Sequence, residues 1–206
     1  MMLNSKQNFL LIFAHVTLIG LSNTLVQYPF ALWGFQTTWG AFSYPLIFIL
    51  TDLTTRFLGP HAARKAVYAA MLPGLFCSYA ISNLYANHDA LAYNPMALRI
   101  ALASFLAYVL GQLLDITIFQ KFRVQQKWWV APSVSTIFGN LFDTYCFFFV
   151  AFFHSANAFL SGNWLEIATV DLVFKLLISL ISFIPLYGFL LKLILQMSSA
   201  KMAGAN

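Results

Sequence analysis

The chain has 206 residues, of which 61% are hydrophobic and only 8% charged, with 22 Phe and 5 Trp. A soluble domain covers its surface with roughly a quarter charged residues, so most of the outer surface of this chain must face lipid. The formal charge of +5 comes from scattered short clusters rather than one basic patch, a pattern that fits membrane topology and not nucleic-acid binding.

A spanning helix needs about 20 mainly apolar residues. The first such stretch is 8–27. It follows Lys6 and resembles the start of a signal peptide, but His15, Asn23 and Gln27 interrupt it and no small-residue cleavage site follows, so it reads as a first span. Residues 27–39, QYPFALWGFQTTW, form an uncharged aromatic loop. Such a loop suits an interfacial belt, or an apolar lid, with Trp39 as a ligand contact, closing over a flat ring. The second span, 38–58, carries Asp52 and Arg56 at a spacing of four, which places them on one helix face and predicts a neutralising pair near the helix end. The third span is 66–85. Its Cys77, like Cys146 further on, reads as a small buried residue, with no disulfide implied.

The fourth span, 95–119, has a polar stripe of Ser104, Tyr108, Gln112 and Asp115. In the fifth, 132–153, Ser133, Thr136, Asn140, Asp143 and Thr144 fall within an arc of about 100° at helical spacing. A polar stripe inside so apolar a protein turns away from lipid, toward a cavity or a neighbouring helix. The sixth stretch, 164–195, is too long for one straight span, and Pro185 is expected to kink or end it. It carries Asp171, Lys175, Ser179 and Ser182, and Asp171 and Lys175 again share a face. A lone charge at mid-bilayer costs at least a few kcal/mol, so such groups persist where they have partners or a task. Arg99 and Glu166, near helix ends and off the main stripes, are candidates for an ion pair holding two helices or gating the site. His15 and His154 have no evident sequence partner and read as hydrogen-bonded packing residues.

The expected fold is therefore a single all-α domain over residues 1–206, a polytopic membrane protein with six transmembrane helices. Six spans place Lys6, Arg64, Lys65, Lys121, Arg123, Lys127, Lys192 and Lys201 on one side, and Asp89 with no lysine or arginine on the other. The positive-inside rule then puts both termini in the cytoplasm. No nucleotide-binding, metalloprotease, serine-hydrolase or zinc-site signature is present, so neither cofactor nor metal is expected. A carrier of a small molecule is the leading function. A binding subunit that needs a separate ATPase, and an intramembrane enzyme, are the alternatives, the last without supporting catalytic spacing. Association between copies is left open.

Three stretches carry a resemblance: TWGAFSYPLIFILTDLTTRFLG (38–59), ASFLAYVLGQLLDITIF (103–119) and WWVAPSVSTIFGNLFDTYCFFF (128–149), the last followed by Asp171 and Lys175. They resemble the YhhQ family of queuosine-precursor transporters, from about residue 23 to residue 187. The resemblance implies a bacterial inner-membrane importer of 7-cyano-7-deazaguanine and 7-aminomethyl-7-deazaguanine, and a fold related to the substrate-binding subunits of vitamin importers. The residues suit such a purine-like ligand. Its guanine-type edge presents N–H donors beside an O6 acceptor; a carboxylate accepts the donors, Asn or Gln donates to O6, and aromatic faces stack on the ring. Asp143 is the expected reader, with Asn140, Thr136, Gln112, Asp171, Lys175 and Trp39 around it.

Overall fold

The computed structural model describes residues 5–26, 28–32, 35–125 and 127–203. The polypeptide is a helical bundle in which polarity is inverted relative to a soluble protein. Phe9, Leu72, Phe76, Phe189 and Ile181 are exposed, whereas His15, Thr51, Asp52, Gln112, Asp115, Asn140, Asp143 and Thr144 are buried. In lipid this inversion follows directly. Apolar side chains are stable on the outside, and polar ones must find partners within.

Helix α1 (Ser5–Val26) leads into a two-stranded antiparallel hairpin, β1 (Pro29–Leu32) and β2 (Phe35–Thr38). The aromatic loop expected here is thus a two-stranded hairpin, which pairs the inward-facing backbone groups of its strands with each other. The second span is broken into a single turn, α2 (Gly40–Ser43), and a 14-residue helix, α3 (Pro45–Leu58). Pro45 explains the boundary, because its ring fixes φ and removes a backbone donor. Helices α4 (Pro60–Asn87), α5 (Pro95–Phe122) and α6 (Val130–Phe152) follow, each opening with or near a proline or a capping residue. Asn94, for example, caps α5 by accepting from the backbone N–H groups of Met96 and Ala97.

The final stretch is one long rod: α7 (Ala158–Ile178), a π-helical turn (Ser179–Phe183) and α8 (Ile184–Ala203). Pro185 does not end the rod as expected. Its missing N–H breaks the regular ladder, and the wider turn immediately before it absorbs the irregularity.

Five helical stretches among the described residues are long and apolar enough to cross a membrane. The α2–α3 stretch is the exception. It is short and rich in Thr, and its buried face carries Ile47, Phe48, Thr51, Asp52, Thr54 and Thr55. It occupies the middle of the bundle and touches α1, α4, α5, α6 and α8. Its threonines and aspartate fit this central position, since a helix surrounded by protein need not be apolar all round. Close approach is built in by glycine. A Cβ on Gly139 would stand 2.7 Å from the Phe48 ring, and one on Gly111 would stand 3.2 Å from the Asp143 Cβ.

Connections sort the bundle into two ends. The α3–α4 and α5–α6 connections and the start of α8 share one end with Lys6, Arg64, Lys65, Lys121, Arg123 and Lys127, the basic end. The hairpin, the α4–α5 connection and the start of α7 lie at the far end. The Tyr28 hydroxyl, 2.7 Å from that of Tyr85, ties α1 to α4 there.

Candidate functional site

A cavity of about 130 Å³ lies in the far half of the bundle. Its wall takes Ser22 and Asn23 from the last turns of α1, Gly40, Ala41 and Tyr44 from the broken second span, and Ser82 from α4. Ile100 and Ser104 come from α5, Asp143, Phe147 and Phe148 from α6, and Asp171 and Lys175 from α7. The break at Tyr44 matters here. It lets the small residues Gly40 and Ala41 face the cavity while Tyr44 points its hydroxyl across it.

The electrostatic centre is Lys175. Its ammonium is 2.8 Å from Asp171 Oδ2, one helical turn away, and 3.8 Å from Asp143 Oδ2 on the neighbouring helix. It also donates to Thr144 Oγ1 at 3.3 Å and sits 5.0 Å from the centre of the Tyr44 ring. Asp143 Oδ1 accepts from the Tyr44 hydroxyl at 2.8 Å. One cation thus faces two carboxylates, leaving a local excess of negative charge. Asp143 and Lys175 are buried and Asp171 is partly so, which strengthens each interaction and raises the cost of removing any one of them. Phe147 and Phe148 meet edge to face, with ring centroids 5.3 Å apart, and supply an apolar wall beside these charges.

Of the residues expected at the site, Asp143, Asp171 and Lys175 come together in this cavity. Asn140 lies one turn further toward the basic end, fully buried, with its amide donating to the Thr136 carbonyl at 2.9 Å, so neither Asn140 nor Thr136 lines the cavity. Gln112 also lies below it and accepts a short hydrogen bond from Thr51, whose hydroxyl is in turn 3.2 Å from His15 Nε2. His15 is therefore not partnerless; its partner comes from another helix. Trp39 is half-exposed and packs against Phe42, outside the cavity wall. Side chains of the rest of the hairpin lie outside the described residues, so the lid expectation rests on sequence alone.

The two other expected ion pairs do not form. Arg56 turns away from Asp52 to donate to the Tyr187 hydroxyl at 2.5 Å and the Trp128 carbonyl at 3.3 Å, with its guanidinium near the rings of Phe119 and Tyr187. Asp52 instead accepts from Ser135 on α6. Arg99 donates to the carbonyls of Val150, Phe153 and His154 and so caps the C-terminus of α6, whereas Glu166 is exposed on α7. A helix end offers several unsatisfied carbonyls and a partial negative charge, which competes well with a distant carboxylate for an arginine.

Sequence reasoning missed Tyr44, Ser22, Asn23 and Ser82 as wall residues. Asn23 and Ser22 carried a usable signal, being adjacent polar groups near the end of an apolar span. Tyr44 had one as well, since Tyr-Pro in mid-span marks a helix break that can aim a side chain inward.

A family model described as a putative vitamin uptake transporter matches residues 38–190. The chain is 49% identical to the queuosine precursor transporter of Escherichia coli (strain K12), over 93% of this chain and 89% of that protein. It is 40% identical to the probable queuosine precursor transporter of Haemophilus influenzae (strain ATCC 51907 / DSM 11121 / KW20 / Rd), over 89% and 86%. The probable queuosine precursor transporter of Bacillus subtilis (strain 168) is 29% identical, over 78% and 75%. No solved structure matches. A bundle with an apolar exterior, a buried charged cavity and relatives this similar along nearly its whole length belongs to the YhhQ family of queuosine-precursor transporters, within the putative vitamin uptake transporters.

Proposed function

We propose that this chain carries 7-deazaguanine precursors of queuosine, the 7-cyano and 7-aminomethyl bases, from outside the cell into the cytoplasm, and that the cavity around Lys175 is its substrate site. The observation that carries this reading is the pairing of two carboxylates with one lysine in a small cavity walled on one side by Phe147 and Phe148. At about 130 Å³ the space is below the range of about 300–1,000 Å³ that holds drug-sized ligands, which favours a compact flat ring.

The guanine-type edge offers adjacent N–H donors, for which Asp143 supplies an acceptor. Its Oδ2 is 3.8 Å from Lys175, against 2.8 Å for Asp171 Oδ2, so that oxygen is held by charge attraction without a close hydrogen bond and keeps accepting capacity for a ligand. The Tyr44 hydroxyl gives its one proton to Asp143, so the donors that can serve the O6 acceptor are Lys175 and the side chains of Ser22, Asn23, Ser82 and Ser104 on the wall. A planar ring between the phenyl wall and Tyr44 would gain apolar contact without needing further polar partners.

The positive-inside rule supports a six-span arrangement in a bacterial inner membrane with the basic end and both termini in the cytoplasm. The cavity then belongs to the outer half, where an importer meets its substrate. Uptake of labelled 7-cyano-7-deazaguanine by liposomes containing only this chain tests the reading. Uptake there supports a self-sufficient carrier. Binding without uptake would favour instead a substrate-binding subunit working with an ATPase, and neither binding nor uptake would remove the substrate assignment.

A further inference from the structure

Below the cavity, toward the basic end, lies a second buried polar cluster that the substrate reading does not use. Asp52 on α3 and Asp115 on α5 are 1% and 0% exposed. Their carboxyl groups interact directly with each other. Ser135 directs its hydroxyl to Asp52, at 3.3 and 3.4 Å from the two oxygens. Neither oxygen of Asp115 receives a hydrogen bond from any other protein donor. Among the described residues no lysine or arginine nitrogen is within ion-pair distance of either carboxylate, since both ion pairs are made by Lys175.

Two carboxylates cannot both be ionised at such close range in a water-excluded interior, because desolvation and mutual repulsion act in the same direction. One O–H between them resolves both costs. It removes one charge and supplies the hydrogen-bond donor that the Asp115 oxygens lack. The surrounding groups define how that proton could be exchanged. On the same helix Arg56 lies one turn below Asp52, anchored to Tyr187 of α8 and the Trp128 carbonyl. Arg123, just after α5, donates to the Thr55 carbonyl at 3.0 Å, and His15 of α1 is held by Thr51 and the Leu11 carbonyl. Arg56 is therefore the cation placed to replace the proton. If the basic end opens, breaking the contacts with Tyr187 and Trp128, its guanidinium is free to pair with Asp52 at the favourable spacing of four residues.

We propose that Asp52 and Asp115 form a proton-binding site that couples substrate movement to the proton gradient, one proton being held while the basic end is closed and released to the cytoplasm when Arg56 takes its place. The proton moves from carboxyl to water as the guanidinium becomes the counter-charge of Asp52, and the net negative charge left on Asp115 is solvated by the water that the opened basic end admits. The coupling arm rests on the transport reading above. The proton site itself does not.

Infrared spectroscopy on the purified protein at neutral pH tests the site without any substrate. The expected result is a protonated-carboxyl stretch in the unmodified protein that is lost in Asp115→Asn. Its absence from the unmodified protein, or its persistence in a folded Asp115→Asn, overturns the proposal. Uptake into liposomes tests the coupling. With one proton per substrate, a gradient of one pH unit, acid outside, supports about tenfold accumulation. The Asp115→Asn variant should bind substrate with unchanged affinity and exchange it across the membrane, yet accumulate it only to about onefold. Equal accumulation with and without the gradient in the unmodified protein, which needs no variant to fold, would overturn it. Failure of the unmodified protein to bind any deazaguanine falls on the substrate reading, and leaves the infrared result to decide the proton site.

Discussion

Lys175 Nζ stands 2.8 Å from Asp171 and 3.8 Å from Asp143, so its removal leaves two carboxylates facing one another with no cation between them. Breaking a buried ion pair by deleting one partner costs about 3–5 kcal/mol, whereas deleting both partners costs much less. Lys175→Met is therefore expected to lower the unfolding temperature in detergent sharply, and Asp171→Asn in the same chain to restore much of it. A double variant no more stable than Lys175→Met would show that the lysine's main electrostatic debt is to Asp143. Asp143 itself has a sharper test. Asp143→Asn keeps the shape of the side chain but turns one acceptor into a donor, which would oppose the N–H groups of a guanine-type edge. The loss of a charge-assisted hydrogen bond, about 1.5–3 kcal/mol, corresponds to roughly ten- to a hundredfold weaker binding. Calorimetric titration with 7-cyano-7-deazaguanine, and with an analogue lacking the 2-amino group, checks this. A folded variant with unchanged affinity for both ligands would mean that Asp143 serves only to neutralise Lys175.

At the scale of the element, α3 is the piece on which the bundle depends, and its fit against α6 is set by Gly139. The Cβ of an alanine there would come within 2.7 Å of the buried Phe48 ring. Overpacking of a filled interior costs about 1–3 kcal/mol, so Gly139→Ala should be less stable by that order in a thermal unfolding series, and Phe48→Leu should relieve part of the loss when combined with it. If Gly139→Ala alone is neutral, the α3–α6 contact is looser than the structure has it. The long helices were legible in the sequence because lipid imposes length and apolarity together, and a polar stripe at helical spacing has to face inward. That logic placed Asp143, Asp171 and Lys175 in one interior. It failed where the answer depends on tertiary competition. A spacing of four puts Asp52 and Arg56 on one face, but cannot reveal that Tyr187 and the Trp128 carbonyl, from other elements, hold the arginine. Nor does periodicity say which turn of a stripe reaches a cavity. Asn140 and Thr136 share the stripe of Asp143, yet α6 buries them a turn below it against its neighbours.

For the whole molecule, the distribution of cations and the position of the cavity bear on each other. Lys6, Arg64, Lys65, Lys121, Arg123 and Lys127 gather at the end where Arg56, Tyr187 and Trp128 close the bundle, while the connection holding Asp89 lies at the end nearer the cavity. Lysine and arginine in short loops resist translocation, so the basic end is expected in the cytoplasm. The proposed arrangement has six passes, the alternation of the helices counting the short α2–α3 stretch as one of them, with the ends of α1 and α4 meeting at the far end through Tyr28 and Tyr85. Single cysteines introduced at positions 65, 89 and 125, in a chain from which Cys77 and Cys146 have been removed, give the decisive readout with a membrane-impermeant maleimide on intact cells. Labelling is expected at position 89 alone, with 65 and 125 reacting only after the membrane is opened. If positions 89 and 125 label together, α5 does not cross the membrane. If 65 and 125 label on intact cells while 89 does not, the orientation is reversed, the cavity faces the cytoplasm, and the direction of transport proposed for this chain must be reversed with it.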